Sequence, residues 1–354
     1  MKRLSVACAF LLVALAVPAY AQTDDPALLS LERIYASRDF RGDFFGPAEW
    51  LSDGSGYTTL EWSQEVQRAR DIVRYDPQTG ERQVLVPAAK LVPPGEDGPL
   101  WIAGYSWSED GRKLLIFTNT QRVWRLNTRG DYWVLDLETS KLQKLGGDAE
   151  PSSLMFAKFS PDGSRVGYVR GHNVYVENLA DGRINALTSD GSETLINGTS
   201  DWVNEEEFFL RDGFRWSPDG QRIAYWQFDT EGVRHFTLIN NTDSLYPQLT
   251  SFPYPKAGER NSAIRLGVVN AEDGPTTWLA IEGEPHDLYV PRMEWAASSD
   301  EVVFQLLNRL QNTNRVSLGD AKTGKVRRTL TERDEAWLDA VDDLKWLNDR
   351  KSFT

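Results

Sequence analysis

Short apolar runs separated by Ser, Asp and Gly recur along this chain, which is the pattern of strands joined by tight turns. The segments from Arg165 to Val169 and from Arg222 to Gln227 alternate in the manner of half-buried strands, and Asn173 to Glu177 continues the alternation after a short turn. A phrase of the form aromatic-Ser-x-Asp-Gly, followed by such a strand, opens at Trp50, Trp107, Phe159 and Trp216, with weaker copies at Trp295 and Trp346. The leading aromatics are spaced 57, 52, 57, 79 and 51 residues apart. A period near that of one four-stranded unit, with one long insertion between Trp216 and Trp295, predicts an all-β chain: a β-propeller of about six four-stranded blades. The second half of each unit has its own turn signal, seen in Asp76–Gly80, Asp136–Ser140, Asp181-Gly182, Asp273-Gly274 and Asp320–Gly324. There Asp caps a hairpin turn and Gly or a small residue takes the positive φ. From Asp334 to Trp346 the residues Trp337, Val341 and Leu344 would suit a helical face, but Trp346 opens another repeat, so a loop leading into a strand is expected.

Composition narrows the partners. The 354 residues are 40% hydrophobic and 11% aromatic, enough to bury a sizeable core and too apolar for disorder. The formal charge is -13 and no Lys/Arg cluster offsets it. That argues against nucleic acid and anionic lipid, and favours cationic or N-terminally charged partners. Residues 1–21 read as a secretory signal: Lys2 and Arg3 at the start, an apolar stretch from Leu4 to Val17, and the small-x-small site Ala19-Tyr20-Ala21. Its removal would leave a chain starting near Gln22 without Cys8, the only cysteine, and so without a disulfide or a thiol nucleophile. No later apolar run approaches the roughly 20 residues of a membrane span. The expectation is an exported protein, periplasmic or secreted.

Catalytic constellations are scarce. There is no Gly-x-Ser-x-Gly elbow, no phosphate-binding loop and no dinucleotide fingerprint, and His172, His235 and His286 lack the spacing of a zinc site, so neither a metal nor a cofactor is expected. The repeat aspartates and tryptophans are accounted for by blade architecture. Asn197-Gly198-Thr199 is a glycosylation sequon, meaningful only in a eukaryotic secretory pathway. The segment Asp201 to Phe208 differs: three consecutive carboxylates, Glu205, Glu206 and Glu207, are expected to be pinned by large aromatic anchors, Trp202, Phe208 and Phe209, in an interval between repeat phrases. As a solvated face it would need only Arg211 to offset its repulsion. As a fixed negative patch it suits a cationic ligand.

The sequence Asp201-Trp202-Val203-Asn204-Glu205-Glu206-Glu207 resembles the Asp-Trp-Val-Tyr-Glu-Glu-Glu motif in the propeller of dipeptidyl peptidase IV-type serine peptidases, of the prolyl oligopeptidase clan. Arg215–Gly220, Tyr254-Pro255-Lys256-Ala257-Gly258, Arg309-Leu310-Gln311-Asn312 and Val123-Trp124-Arg125-Leu126 extend the resemblance, which runs from about residue 30 to the last. It implies that Glu206 and Glu207 grip the α-ammonium of a peptide, that Glu205 supports them, and that Arg125 contacts a substrate backbone carbonyl. Cleavage would then fall after the second residue, proline or alanine. Asn204 departs from the family's tyrosine. The resemblance further implies eight blades followed by an α/β-hydrolase domain holding the serine, aspartate and histidine. Residues 39–354 then form an incomplete propeller, residues 22–38 form the segment that packs on the hydrolase domain, and this chain has no catalytic residues of its own and is inactive alone. Peptides with a free N-terminus, the hydrolase domain and a second copy in a homodimer are the partners implied. The alternative is a stand-alone periplasmic propeller that binds peptides or proteins without cleaving them. An array broken inside a blade would also be expected to associate, through its open sheet edge.

Overall fold

The computed structural model describes residues 27–42, 45–342, 344–347 and 352–353. The expected signal segment, with its cleavage site and Cys8, lies outside the described residues, as do residues 22–26. The chain divides into two units, Met1–Gly46 and Pro47–Thr354. In the first, a single helical turn at Glu32–Ala36 is followed by Asp39, which pairs with the Arg33 guanidinium at 3.0 Å.

The second unit is a succession of four-stranded antiparallel blades. The first comprises β1 (Ala48–Trp50), β2 (Tyr57–Trp62), β3 (Arg70–Tyr75) and β4 (Arg82–Val86), paired in chain order. The second comprises β5 (Gly104–Trp107), β6 (Lys113–Val123), β7 (Leu126–Asp136) and β8 (Leu142–Lys144), and the third β9 (Leu154–Phe159), β10 (Arg165–Arg170), β11 (Asn173–Asn178) and β12 (Ile184–Ala186). A short pairing of β7 with β9, Arg129 opposite Met155 and Gly130 opposite Leu154, joins these two. In the fourth, the innermost strand comes in two pieces, β13 (Leu195–Asn197) and β14 (Phe214–Trp216), both paired to β15 (Arg222–Asp229). A separate hairpin, β16 (His235–Asn240) and β17 (Gln248–Pro253), precedes β18 (Ala263–Asn270) and β19 (Thr277–Trp278) and accounts for the long repeat interval. The fifth blade again splits its inner strand, into β20 (Leu288–Tyr289) and β21 (Met293–Trp295), before β22 (Glu301–Asn308), β23 (Thr313–Asp320) and β24 (Val326–Arg333). Trp346 then pairs with Phe353, where the sixth repeat phrase begins.

The turn phrases have a common chemistry. In three repeats the Ser Oγ (Ser108, Ser160, Ser217) donates to the Asp two positions on, at 2.6 Å, and accepts the N–H of the first residue of the following strand. The leading tryptophans reach backwards: Trp216 Nε1 donates to the Lys158 carbonyl and Trp295 Nε1 to that of Arg215, each in the preceding blade. Arginines reach forwards, Arg165 to the Gly220 carbonyl and Arg222 to that of Ser299, both at 2.7 Å. The repeat phrase therefore encodes contacts between blades as well as turns.

Strands β10 and β15 differ from the half-buried expectation: both are buried on nearly every residue. A blade sheet has a neighbour on each face, so alternation sorts residues between two cores instead of between core and solvent. Along β15, Ile223 and Tyr225 pack with Val169 and Val174 of the third blade, while Ala224, Trp226 and Phe228 pack with Val302 and Phe304 of the fifth. The stretch after Asp334 forms no helix among its described residues, and the Gln305 side-chain amide holds both the N–H and the C=O of Val341. In an antiparallel meander the first and third connections of a blade lie at one end and the second, with the crossing to the next blade, at the other. The Ser-x-Asp-Gly and Asp-capped turns thus share one end. The β6–β7 turn, the β16–β17 hairpin and the crossing that carries residues 334–342 share the other, while residues 198–213 leave the inner strand of the fourth blade between β13 and β14.

Candidate functional site

The acidic run forms a short helix, α1 (Trp202–Phe208), set inside the interrupted inner strand of the fourth blade. Asp201 caps it: Oδ1 accepts from the Asn204 N–H at 2.9 Å and from Asn204 Nδ2 at 2.8 Å, and Oδ2 accepts from Ser262 Oγ at 2.5 Å. Asn204 is thus tied into the cap. The neck of the insertion is a glycine pair. Gly213 N–H donates to the Gly198 carbonyl at 3.0 Å, and a Cβ on Gly213 would lie 2.7 Å from the Gly198 carbonyl carbon. Gly198 also has φ +75°, and a Cβ there would meet Val174 at 2.7 Å.

Of the three aromatics flanking the run, two are anchors. Trp202 packs on Tyr254, of the Tyr-Pro-Lys-Ala-Gly segment, with ring centroids 4.2 Å apart, and Phe208 is buried against Tyr289 at 5.1 Å. Phe209 is not an anchor: it ends the helix in the left-handed conformation, φ 54°, which turns its ring outward to 71% exposure.

The carboxylates have three different surroundings. Glu205 is buried and accepts from Arg211 Nε at 3.3 Å; burial pushes its pKa up while Arg211 and Arg125 pull it back. Glu206 accepts from Arg125 Nη2 at 2.5 Å. Glu207 is exposed, has no ion-pair partner among the described residues, and lines a cavity of about 480 Å³ with Trp202, Tyr254 and Lys256. Helical residues one apart do not face the same way.

Arg125 arrives on the two-residue tip of the β6–β7 hairpin, between Val123 and Leu126, with Trp124 at φ 50° and Arg122 Nε donating to the Trp124 carbonyl. Both strands of this hairpin run 11 residues, against six in β2 and β10. At about 3.3 Å per residue that is on the order of 15 Å of additional reach. Of the sequence candidates, then, Arg125 and Glu206 meet, Glu205 stands behind them on Arg211, and Glu207 lies apart. Ser262 and Arg292, which donate to the cap and to the end of α1, carry no motif in the sequence.

Other candidates recede. Asn197 is fully buried, donating to Asp190 and the His172 carbonyl and accepting from Gln227, so the sequon side chain is structural. His172 sits in a hairpin turn at φ 60°, His235 is exposed, and His286 meets Arg260.

Residues 108–354 match the family profile described as the dipeptidyl peptidase IV (DPP IV) N-terminal region. "Probable dipeptidyl peptidase 4" of Emericella nidulans is 30% identical over 272 residues, 74% of this chain and 34% of the relative. Dipeptidyl aminopeptidase B of Saccharomyces cerevisiae is 31% identical over 247 residues, 67% of this chain and 30% of the relative. The crystal structure of Porphyromonas gingivalis dipeptidyl peptidase 4 is similar to this fold with a TM-score of 0.81 and 26% identity, over 90% of this chain and 44% of that one. The chain spans about a third of the length of these curated relatives.

Proposed function

The chain belongs to the dipeptidyl peptidase IV N-terminal region family, and on that premise we propose that it is the substrate-selecting propeller portion of an exported dipeptidyl peptidase IV-like serine exopeptidase. Residues 1–21 serve as its signal, residues 22–38 pack on the hydrolase domain, and residues 39–354 present the peptide's N-terminus to the serine there. Glu206 and Glu207 take the α-ammonium, Glu205 supports α1, and Arg125 takes a substrate carbonyl.

The observation that carries this reading is the contact between Arg125 and Glu206, on two separate elements at the same end of the blades. Glu206 already holds a cation there, with geometry suited to an ammonium. A charged, hydrogen-bonded carboxylate is what an ammonium leaving water needs, because each of its N–H groups must find an acceptor. When the peptide enters, its ammonium replaces the Arg125 guanidinium on Glu206, and Arg125 turns to the carbonyl of the first residue. The exchange keeps the Glu206 carboxylate paired with a cation throughout. A ligand held at its N-terminus by one element and at its first carbonyl by another has a fixed register, so a nucleophile at a fixed distance meets the bond after the second residue. That accounts for removal of dipeptides, X-Pro and X-Ala being the ones the family resemblance implies.

Calorimetric titration of the chain with Ala-Pro amide and with its N-acetylated form tests this. The free amine should bind and the acetylated peptide should not. Equal affinity for both would remove the ammonium from the recognition and with it this reading.

A further inference from the structure

The seven residues of α1 are too few to hold a helix by themselves, so the direction of its carboxylates is set from outside. At the N-terminal end the cap and Ser262 do this. At the other end the last carbonyls of a helix have no partner within it. Asn204's carbonyl is met by the N–H groups of Phe209 and Leu210. The Phe208 carbonyl is met by a residue of another blade: Arg292, just before β21, donates to it through Nη1 at 2.8 Å.

Arg292 is itself held. Its Nε donates to Asp342 Oδ1, and this ion pair keeps the Asp342 carboxyl below its ordinary range. Asp342 is carried by the stretch whose preceding residue, Val341, is fastened to β22 by the Gln305 amide. A continuous line of hydrogen bonds thus runs from β22 through Val341, Asp342 and Arg292 to the end of α1, two residues from Glu206. Arg292 touches neither Glu206 nor Arg125.

We propose that Arg292, aligned by Asp342, is a positioning residue for the carboxylates of α1: it fixes the C-terminal end of the helix and thereby where Glu206 meets its ligand. This rests on the reading of Glu206 as the ammonium carboxylate. The guanidinium suits the task because its planar fork serves Phe208 and Asp342 at once, and because a cation is favoured at a helix C-terminus. Lysine could serve one partner at a time.

The test uses the whole chain with R292M, R292K, D342N and E206Q, and two readouts: hydrogen exchange of the α1 amides and the affinity for Ala-Pro amide. R292M should speed exchange in α1 while amides of β22 and β23 keep their protection. It should also weaken the peptide about tenfold, equivalent to roughly 1.4 kcal/mol. R292K, which keeps the charge but serves one partner at a time, and D342N, which leaves Arg292 in place and unaligned, should each fall between. A merely structural role would change exchange or melting without changing the affinity of the folded protein. If R292M, or D342N should R292M not fold, binds the peptide as the unaltered chain does while E206Q loses it, the positioning role is overturned. If E206Q itself binds normally, the ammonium reading fails, and unchanged α1 exchange in R292M would independently dismiss the clamp.

Discussion

Arg125 and Glu206 are 81 positions apart in sequence and 2.5 Å apart in space. The pair is largely solvated on the arginine side, with 63% of that side chain exposed. Exposed ion pairs contribute only about 0–1 kcal/mol to folding. Arg125→Ala should therefore melt within a few degrees of the unaltered chain and yet lose affinity for a free-amine dipeptide, because the carbonyl contact goes with it. Thermal melting beside calorimetric titration checks this. A variant that loses stability and keeps affinity would make the pair a structural strut.

Glu206→Gln and Glu207→Gln are expected to separate. Hydrogen bonds to charged groups are worth roughly 1.5–3 kcal/mol, and Glu206 already holds a cation. E206Q should lose about that much binding energy for Ala-Pro amide. Glu207, exposed and turned to its own cavity, should lose less, toward the lower end of that range. Equal and complete loss in both would require the two carboxylates to converge when the ligand binds.

Lys158 offers a pH-dependent test of the fold. Burial lowers its pKa from 10.5 to about 8, against the pull of Asp212, which it meets at 2.5 Å. The unfolded chain thus binds the proton more tightly. Below about pH 8 the group is charged in both states and its burial penalty is fully present; between there and about pH 10.5 the folded state sheds the proton first, so stability gained from this site rises with pH. Urea melts at the two ends of this window should show the unaltered chain gaining stability relative to Lys158→Met as pH rises, a difference in which the opposing effect of the buried tyrosines Tyr105, Tyr132, Tyr168 and Tyr225 cancels.

Asn197→Asp would replace a donor to Asp190 and to the His172 carbonyl with an acceptor, on a side chain that is itself fully buried while Asp190 is exposed. Leaving a buried polar group unpaired costs about 1–3 kcal/mol, and the new carboxylate would also face that of Asp190. Chemical denaturation should place this variant at least about 2 kcal/mol below the unaltered chain. A neutral outcome would mean that water enters the cluster.

The turn serines should not be equivalent. Ser217 is fully buried and bonds both Asp219 and the Arg222 N–H, whereas Ser52 donates to Glu109 in an exposed turn. Ser217→Ala should cost about 1–2 kcal/mol and Ser52→Ala less than about 0.5 kcal/mol, read from parallel denaturant melts.

What the sequence discloses here is local. The Asp-capped turns and the Ser-x-Asp-Gly phrase were legible because their hydrogen bonds close within a few residues, and their spacing was enough to count blades. The double burial of β15 was not, since which face of a strand meets solvent depends on what lies beyond it, and a blade has neighbours on both sides. Glu206 could be suspected from its setting, but Arg125 became a candidate only by resemblance; no pattern near Leu126 predicts that an extended hairpin ends at α1. Phe209 misled because a hydrophobic residue beside two anchors looks like a third, until the helix stop turns its backbone. Ser262 and Arg292 are single ordinary residues at strand ends, and only the packed chain reveals what they hold.

The glycine neck at Gly198 and Gly213 closes the insertion that carries α1 at its base. The insertion leaves the inner strand after Asn197, opposite Gln227, and returns at Phe214, opposite Tyr225, so its two ends stand almost side by side on one partner strand. A segment whose ends meet in that way can be lengthened, shortened or exchanged with little change in the sheet that carries it. Residues 198–213 are therefore a natural grafting unit. Moved with its glycine pair into the inner strand of another blade, it would bring its own closure, though not Arg292, and the difference between graft and original would isolate what the host blade adds.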